Sequence, residues 1–259
     1  MINSLWIAKS GMSAQQTQLD VISHNLANVS TTGYKRASAV FQDLIYQNQR
    51  QVGASSSEQN QLPTGLHLGL GVATVSTSRD FRQGTPQASG KDFDIAINGA
   101  GFFQIDMPDG TTAYTRDGTF NPDANGQLVT ASGYPLSGGI TVPPGTAKMS
   151  ISDQGLIEFF DKSGAKMGGA NLTLASFVNP GGLEPVGQNL FRESVASGNP
   201  QTGAPDSAGM GKTLQGFLEG SNVNVVEELV TMIQTQRAYE MNSKAITTSD
   251  QMLAKLAQL

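Results

Sequence analysis

The opening run MINSLWIAKSGMSAQQTQLDVISHNLANVSTTG, residues 1–33, carries only two formal charges, Lys9 and Asp20, yet it is no membrane span. Asn3, Ser4, Ser10, Ser13, Gln15, Gln16, Gln18, Ser23, His24, Asn25 and Asn28 interrupt every apolar run well short of the roughly 18 residues a span needs. With a period of seven, one column is Leu5, Met12, Leu19, Leu26, and its companion is Ala8, Gln15, Ile22, Val29. Only Gln15 in these columns is polar, so the run predicts a coiled-coil-like helix. Its other faces bear Gln, Ser and Asn where a solvated helix carries Lys and Glu. Such side chains are buried against protein at lower cost than charges, provided they are hydrogen-bonded. The pattern fits an ordinary amphipathic helix, or, more pointedly, one enclosed by other helices.

The far end of the chain answers this helix. Asn224 with Glu227 three residues on forms a capping-box pattern, and Glu228 adds charge suited to a helix N-terminus. A second heptad column follows, Val225, Met232, Tyr239, Ile246, Leu253, widened by Leu229, Ile233 and Leu256. No Gly or Pro interrupts residues 221–259, which predicts a helix of about 35 residues and about 50 Å. Two heptad helices around a Gly-rich middle imply that the ends of the chain meet. The expected assembly seam is Leu5, Met12, Leu19, Ile22 and Leu26 with Val225, Leu229, Met232, Tyr239, Ile246 and Leu253.

Between the helices the pattern changes. The first helix is expected to stop near Val29, with Gly33 able to take a left-handed conformation. Ala37, Val40, Phe41, Leu44 and Ile45 recur at helical spacing and predict one or two further helical turns. Residues 47–71 show no defensible period, which fits either a surface loop or an extended arm that orders against a neighbouring subunit. Residues 72–78 alternate as a strand. From Asp92 the signals are β: Phe93, Ile95 and Ile97 alternate, and turns are expected at Pro108-Asp109-Gly110, Asn125-Gly126, Gln154-Gly155 and Ser163-Gly164. Strands are expected at 112–115, 127–130, 149–152, 156–160 and 172–177, and a return linker at 198–211.

The expected fold class is therefore α+β, with long N- and C-terminal helices forming a coiled-coil-like bundle and an inserted, mainly antiparallel β domain. Residues 1–35 and 222–259 form the helical core, 36–91 and 206–221 a connector with an extended arm at 46–71, and 92–205 an outer β domain.

The chain has 259 residues, net charge −5, no basic block and no cysteine, so nothing in it argues for nucleic acid, disulfides or thiolate chemistry. No basic stretch followed by a continuous apolar core marks a cleavable secretory signal. Gly99 and Gly101 in Asn98-Gly99-Ala100-Gly101 lack the third glycine and following helix of a phosphate cradle, and predict a hairpin. Asn121, Asp123, Asn125 and Gly126 begin like a calcium loop, but Ser132 stands where the bidentate Glu belongs, so a turn is expected. His24 and His67 are the only histidines, and neither lies in a nucleophile or metal pattern. Asp92/Asp94 and Glu227/Glu228 read as a strand edge and a helix start. No enzyme activity, cofactor or metal is expected.

The run Ser10-Gly11-Met12-Ser13-Ala14-Gln15-Gln16 through His24-Asn25-Leu26-Ala27-Asn28-Val29-Ser30-Thr31-Thr32-Gly33-Tyr34-Lys35 resembles the N-terminal signature of bacterial flagellar rod and hook proteins. The run Ser221-Asn222-Val223-Asn224-Val225-Val226-Glu227-Glu228-Leu229-Val230 through Gln234-Thr235-Gln236-Arg237-Ala238-Tyr239-Glu240 resembles the same family's other end. The motif positions are Asn25, Asn28, Gly33, Tyr34, Lys35, Gln236, Arg237 and Tyr239. Length and the arm at 46–71 are similar to the distal rod members, with the proximal rod members as the competing assignment.

The resemblance implies a structural subunit that polymerises with itself into a rigid helical tube, transmits motor torque and encloses an export channel. It implies the proximal rod proteins, the hook protein, the surrounding P- and L-ring proteins and the flagellar type III export apparatus as partners, with no nucleic acid and no membrane embedding. It implies a location in the periplasm-spanning rod of the basal body, reached without a cleavable signal. It further implies that the arm, including Gln47, Ser55, Glu58, Pro63 and Gly65, bridges subunits and stiffens the tube. A monomeric surface binding module remains the alternative from another class.

Overall fold

The computed structural model describes residues 2–52, 55–57, 60–61, 63–207 and 209–256. Its class is α+β: a helix at each end, α1 (Ile2–Ala27) and α2 (Val225–Leu256), and many short strands between them. α2 begins where its capping residues predict. Asn224 Oδ1 accepts the Val226 N–H at 3.1 Å and the Glu227 N–H at 3.5 Å, satisfying donors that the first turn leaves without helical partners. Glu227 and Glu228 sit at the positive end of the helix dipole and Lys255 at the negative end.

The chain divides into two compact units. One comprises Met1–Leu26, Ala37–Ser78 and Asn224–Leu259, and the other Ala27–Arg36 and Arg79–Val223. In the first, α1 and α2 are accompanied by the strands Ala37–Asp43 and Val72–Arg79, which pair with each other. The helical turns expected around Ala37–Ile45 are therefore a strand. Two influences outweigh the helical spacing there. The strand Val72–Arg79 offers a backbone ladder, and Asn25 presents its side-chain amide to both backbone groups of Ala37.

The arm is likewise paired within the chain. Tyr46–Arg50 runs antiparallel to Leu66–Gly69, and Ser55–Ser57 to Asn60–Gln61. Every side chain of Tyr46–Arg50 is exposed, so no buried face imposes the alternation by which a strand is read. Gly65 permits the close approach, since a Cβ there would come within 2.6 Å of the Arg50 carbonyl oxygen. Glu58 lies outside the described residues.

The second unit is built on a six-stranded antiparallel sheet in the order 184–187, 190–192, 112–115, 102–106, 174–176, 201–203. Alternation along its central strands feeds two apolar clusters. Phe103, Ile105 and Ala113 point into a large core with Ile95, Phe120, Leu128, Ile157 and Phe159. Phe102 and Tyr114 point the other way, to Phe177, Leu183 and Phe191. Edge-to-face rings lock both clusters, with Phe103 and Phe120 at 5.2 Å and 89°.

Turns at Gly110, Gly126, Gly155 and Gly164 all carry positive φ and join neighbouring strands as their sequences predict. The expected hairpin at Asn98-Gly99 is not one. Ile95–Asn98 pairs with Lys212–Gln215, while Phe102–Asp106 pairs with Thr112–Thr115. Gly99 and Gly101, at φ +119° and +131°, turn the chain out of one ladder into another. The stretch expected as a return linker contributes an edge strand, Gln201–Gly203.

α1 ends at Ala27, slightly before the expected Val29, and the chain turns through Asn28–Thr31, where the Thr31 N–H donates to the Asn28 carbonyl at 3.2 Å. Gly33 then adopts φ +67°, and a Cβ there would meet the Asp117 nitrogen at 2.7 Å and the Arg116 carbonyl carbon at 2.8 Å. Gly33→Ala is accordingly expected to cost about 1–3 kcal/mol from backbone strain alone, with the clash adding to it. Thermal unfolding of the purified variant checks this.

Candidate functional site

Two buried polar clusters and one exposed helix face stand out. In the helical unit, Asn25 is fully buried near the end of α1. Its Nδ2 donates to the Ala37 carbonyl at 2.8 Å and its Oδ1 accepts the Ala37 N–H at 2.9 Å, so one side chain stands in for a neighbouring strand. The same Nδ2 lies 3.3 Å from Glu228 Oε2 on α2. Glu228 is buried too, and the N-terminal dipole of its helix favours a carboxylate at that position. Further along, Asn242 Nδ2 donates to Gln15 Oε1 at 3.0 Å, beside Gly11, where a Cβ would approach Asn242 to 2.9 Å. Asn25→Ala is expected to cost about 1–3 kcal/mol by stranding the Ala37 groups. It should also speed hydrogen exchange at the Ala37 amide, which checks it.

In the β unit, Lys35 is wholly buried and donates from Nζ to Glu219 Oε1 at 2.6 Å and to the Arg82 carbonyl at 2.8 Å. Glu219 Oε1 also accepts the Gly84 N–H at 2.8 Å, and its Oε2 faces Arg116 Nη1 at 3.6 Å. Arg116 Nη2 donates to the Gly99 carbonyl at 2.6 Å. One carboxylate thus serves two buried cations. Burial holds the Lys35 ammonium below its ordinary value despite the opposing pull of Glu219, and burial likewise lowers Arg116. Around this cluster the Gly33 N–H donates to the Glu219 carbonyl at 2.8 Å. Asn222 accepts the Arg36 N–H at 2.7 Å and donates to the Asp80 carbonyl at 2.8 Å. The segment that follows α1 in sequence is tied in this way to the one that precedes α2.

The expected seam residues divide. Ile22 is buried, and Leu5, Met12, Leu19, Leu26, Met232 and Ile246 are half-buried. Val225, Leu229, Tyr239 and Leu253 are exposed. The first three turns of α2 present Val225, Val226, Leu229, Val230 and Ile233 at i, i+1, i+4, i+5 and i+8, a continuous apolar stripe whose Val226 is 70% and Ile233 51% exposed. Of the motif positions, Asn25, Gly33, Tyr34 and Lys35 are buried, Asn28 is half-buried and bonded to Thr31, and Gln236 and Arg237 are exposed. In the arm, Gln47 Oε1 accepts from Asn3 Nδ2 at 3.1 Å, and Pro63 is exposed.

Sequence reasoning missed Arg116, Glu219 and Asn222. The polar contacts between the helices had two traces: Gln15, the misfit in an apolar column, and the uncharged polar residues, Asn25 among them, on the other faces of the first helix. The turn at Asn121–Gly126 spends its carboxylate internally: Asp123 Oδ1 accepts the Asn125 N–H at 2.7 Å and the Gln127 N–H at 2.9 Å. Among the described residues no cluster of His, Asp or Glu suits a metal, and no helix is long and apolar enough to cross a membrane.

Three family signatures match: "Flagella basal body rod protein" over residues 5–35, "Flagellar hook protein FlgE/F/G D1 domain" over 96–159, and "Flagellar basal body rod FlgEFG protein C-terminal" over 214–259. Proteins named flagellar basal-body rod protein FlgG are similar over the full length. The one from Buchnera aphidicola subsp. Schizaphis graminum is 54% identical, covering 100% of both chains. Those from Borreliella burgdorferi (46%, 98% of this chain and 97% of the relative) and Bacillus subtilis (37%, 100% and 99%) are more distant. At such identities along its whole length, the chain belongs to the flagellar basal-body rod protein FlgG family.

Proposed function

We propose that this chain is a structural subunit of the distal flagellar rod, polymerising with itself into a rigid helical tube that transmits torque and encloses an export channel. The observation that carries this reading is the uncovered apolar stripe on α2. Each fully buried aliphatic side chain is worth about 1.5–3 kcal/mol, and a contiguous apolar stripe left in water marks a contact surface. Helices of adjacent copies cover it in a coiled-coil-like bundle built from 1–35 and 222–259, with 92–205 forming the outer β domain and 36–91 with 206–221 the connector. Neighbours along the axis are the proximal rod proteins and the hook protein. The P- and L-ring proteins surround the tube, and the type III apparatus delivers the chain.

Hydrogen exchange on the full-length chain, dilute and then assembled, tests this reading. Protection of residues 225–256 should rise sharply on assembly. A chain that remains monomeric at high concentration, with unchanged protection, supports the binding-module alternative instead.

The arm at 46–71 is proposed to bridge subunits and stiffen the tube. Deleting residues 47–62 should give a flexible or curved assembly in electron micrographs, and tubes as straight as the parent's would reject that role.

A further inference from the structure

We propose that a groove in the helical unit receives the apolar stripe at the start of α2 from a second copy of this chain. This specifies the contact of the assembly reading above and rests on it. The groove has a volume of about 400 Å³. Phe41 and Val72 are contributed by the paired strands, Gly11 and Ala14 by α1, and Thr235 and Ala238 by α2. Its helical walls alternate these small side chains with Gln15, Gln18 and Gln234, and the small positions leave room for larger side chains to enter. No lining residue is charged; the remaining polar groups are glutamine amides.

The stripe matches the groove in kind. Val225, Val226, Leu229, Val230 and Ile233 are all branched, uncharged and at least 38% exposed. Valine and isoleucine are stiff at χ1, so they lose little freedom when they dock. Neither surface has an ion to desolvate, the term that most often cancels the gain from burial.

The geometry points to another copy as the source of the stripe. At 100° per residue, Val226, Leu229 and Ile233 lie roughly 120–180° around the α2 axis from Thr235 and Ala238. A helix cannot turn its far side into a groove that its near side helps to build. The stripe is thus centred on the flank of α2 opposite Thr235 and Ala238, its edge at Val230 approaching Gln234, and pairing stripe with groove between copies is head-to-tail. Such a contact does not satisfy itself in a dimer, so it continues from copy to copy.

The test uses two full-length variants with complementary defects. Ala238→Leu fills the groove and keeps the stripe. Val226→Glu with Ile233→Glu spoils the stripe at exposed positions and keeps the groove. In sedimentation velocity the parent chain should form long assemblies and each variant alone should stay monomeric. An equal mixture should yield a 1:1 dimer that does not grow, because only one good contact remains. Far-UV circular dichroism checks that each variant is folded; if Ala238→Leu loses helix, Gln18→Trp, at a half-buried lining position on α1, replaces it. Either variant assembling like the parent overturns the pairing, as does a mixture of folded variants that stays monomeric. A parent chain that never assembles overturns the assembly reading itself.

Discussion

Glu219→Gln is expected to lower the unfolding free energy by about 3–5 kcal/mol, the range for breaking a buried ion pair from one side. The amide keeps the size of the side chain and an acceptor for Lys35 and Gly84, so packing changes little. What it removes is the carboxylate that faces both Lys35 at 2.6 Å and Arg116 at 3.6 Å. Two cations then remain in a site with almost no water contact, where lowered pKa values already register the cost of holding them charged. Urea unfolding should show an earlier midpoint at an unchanged slope. Combining Glu219→Gln with Lys35→Met should cost less than the two single changes added together, because the second removes a charge that the first left stranded. A loss under 1 kcal/mol for Glu219→Gln would mean that water or another anion shares the site.

Leu19→Asp or Leu26→Asp should abolish assembly while leaving the β unit folded. Both residues are half-buried on α1 in the single chain, so part of each side chain is free to be covered by a neighbour. A carboxylate buried there without a cation costs several kcal/mol per contact, repeated in every copy of a polymer. The β unit has its own core around Phe103, Ile105 and Phe159, to which neither leucine contributes. Near-UV circular dichroism from the aromatic clusters should therefore persist while sedimentation shows only monomers. Functional rods built from either variant would remove α1 from the contact surface.

The helices and the glycine turns were legible in the sequence because their causes are local. Asn224 caps the residues beside it, and glycines at 110, 126, 155 and 164 turn the chain where they stand. The strand Ala37–Asp43 was not legible: its spacing favours a helix, and what overrides it is a ladder partner beginning at Val72 and the side chain of Asn25. In the arm, the strand Tyr46–Arg50 has no buried face to impose a period. Lys35 stood out as a motif residue, but nothing local connects it to Glu219, which is 184 residues away. Glu219, a lone charge between Leu218 and Gly220, was the trace such a cluster left, whereas Arg116 stands beside Asp117 and does not stand out. The apolar column on α2 was visible, yet the hydrogen bonds described between α2 and α1 join polar residues that it does not include: Gln15 with Asn242 and Asn25 with Glu228.

Those two links also set an order of events in folding. Their partners are 227 and 203 residues apart, near opposite ends of the chain. The β unit, by contrast, draws nearly all its strands from one continuous stretch, Arg79–Val223. Closing the long loop costs only about 0.6 kcal/mol more per doubling of its length, but it depends on the last segment of the chain, and distant contacts form slowly. The β unit should therefore be complete while α1 still waits for α2. A chain interrupted before Asn224 would keep its β core and lack both partners of the α1 amides. Refolding followed by pulsed hydrogen exchange should show the strands protected in an early phase and the helices in a later one.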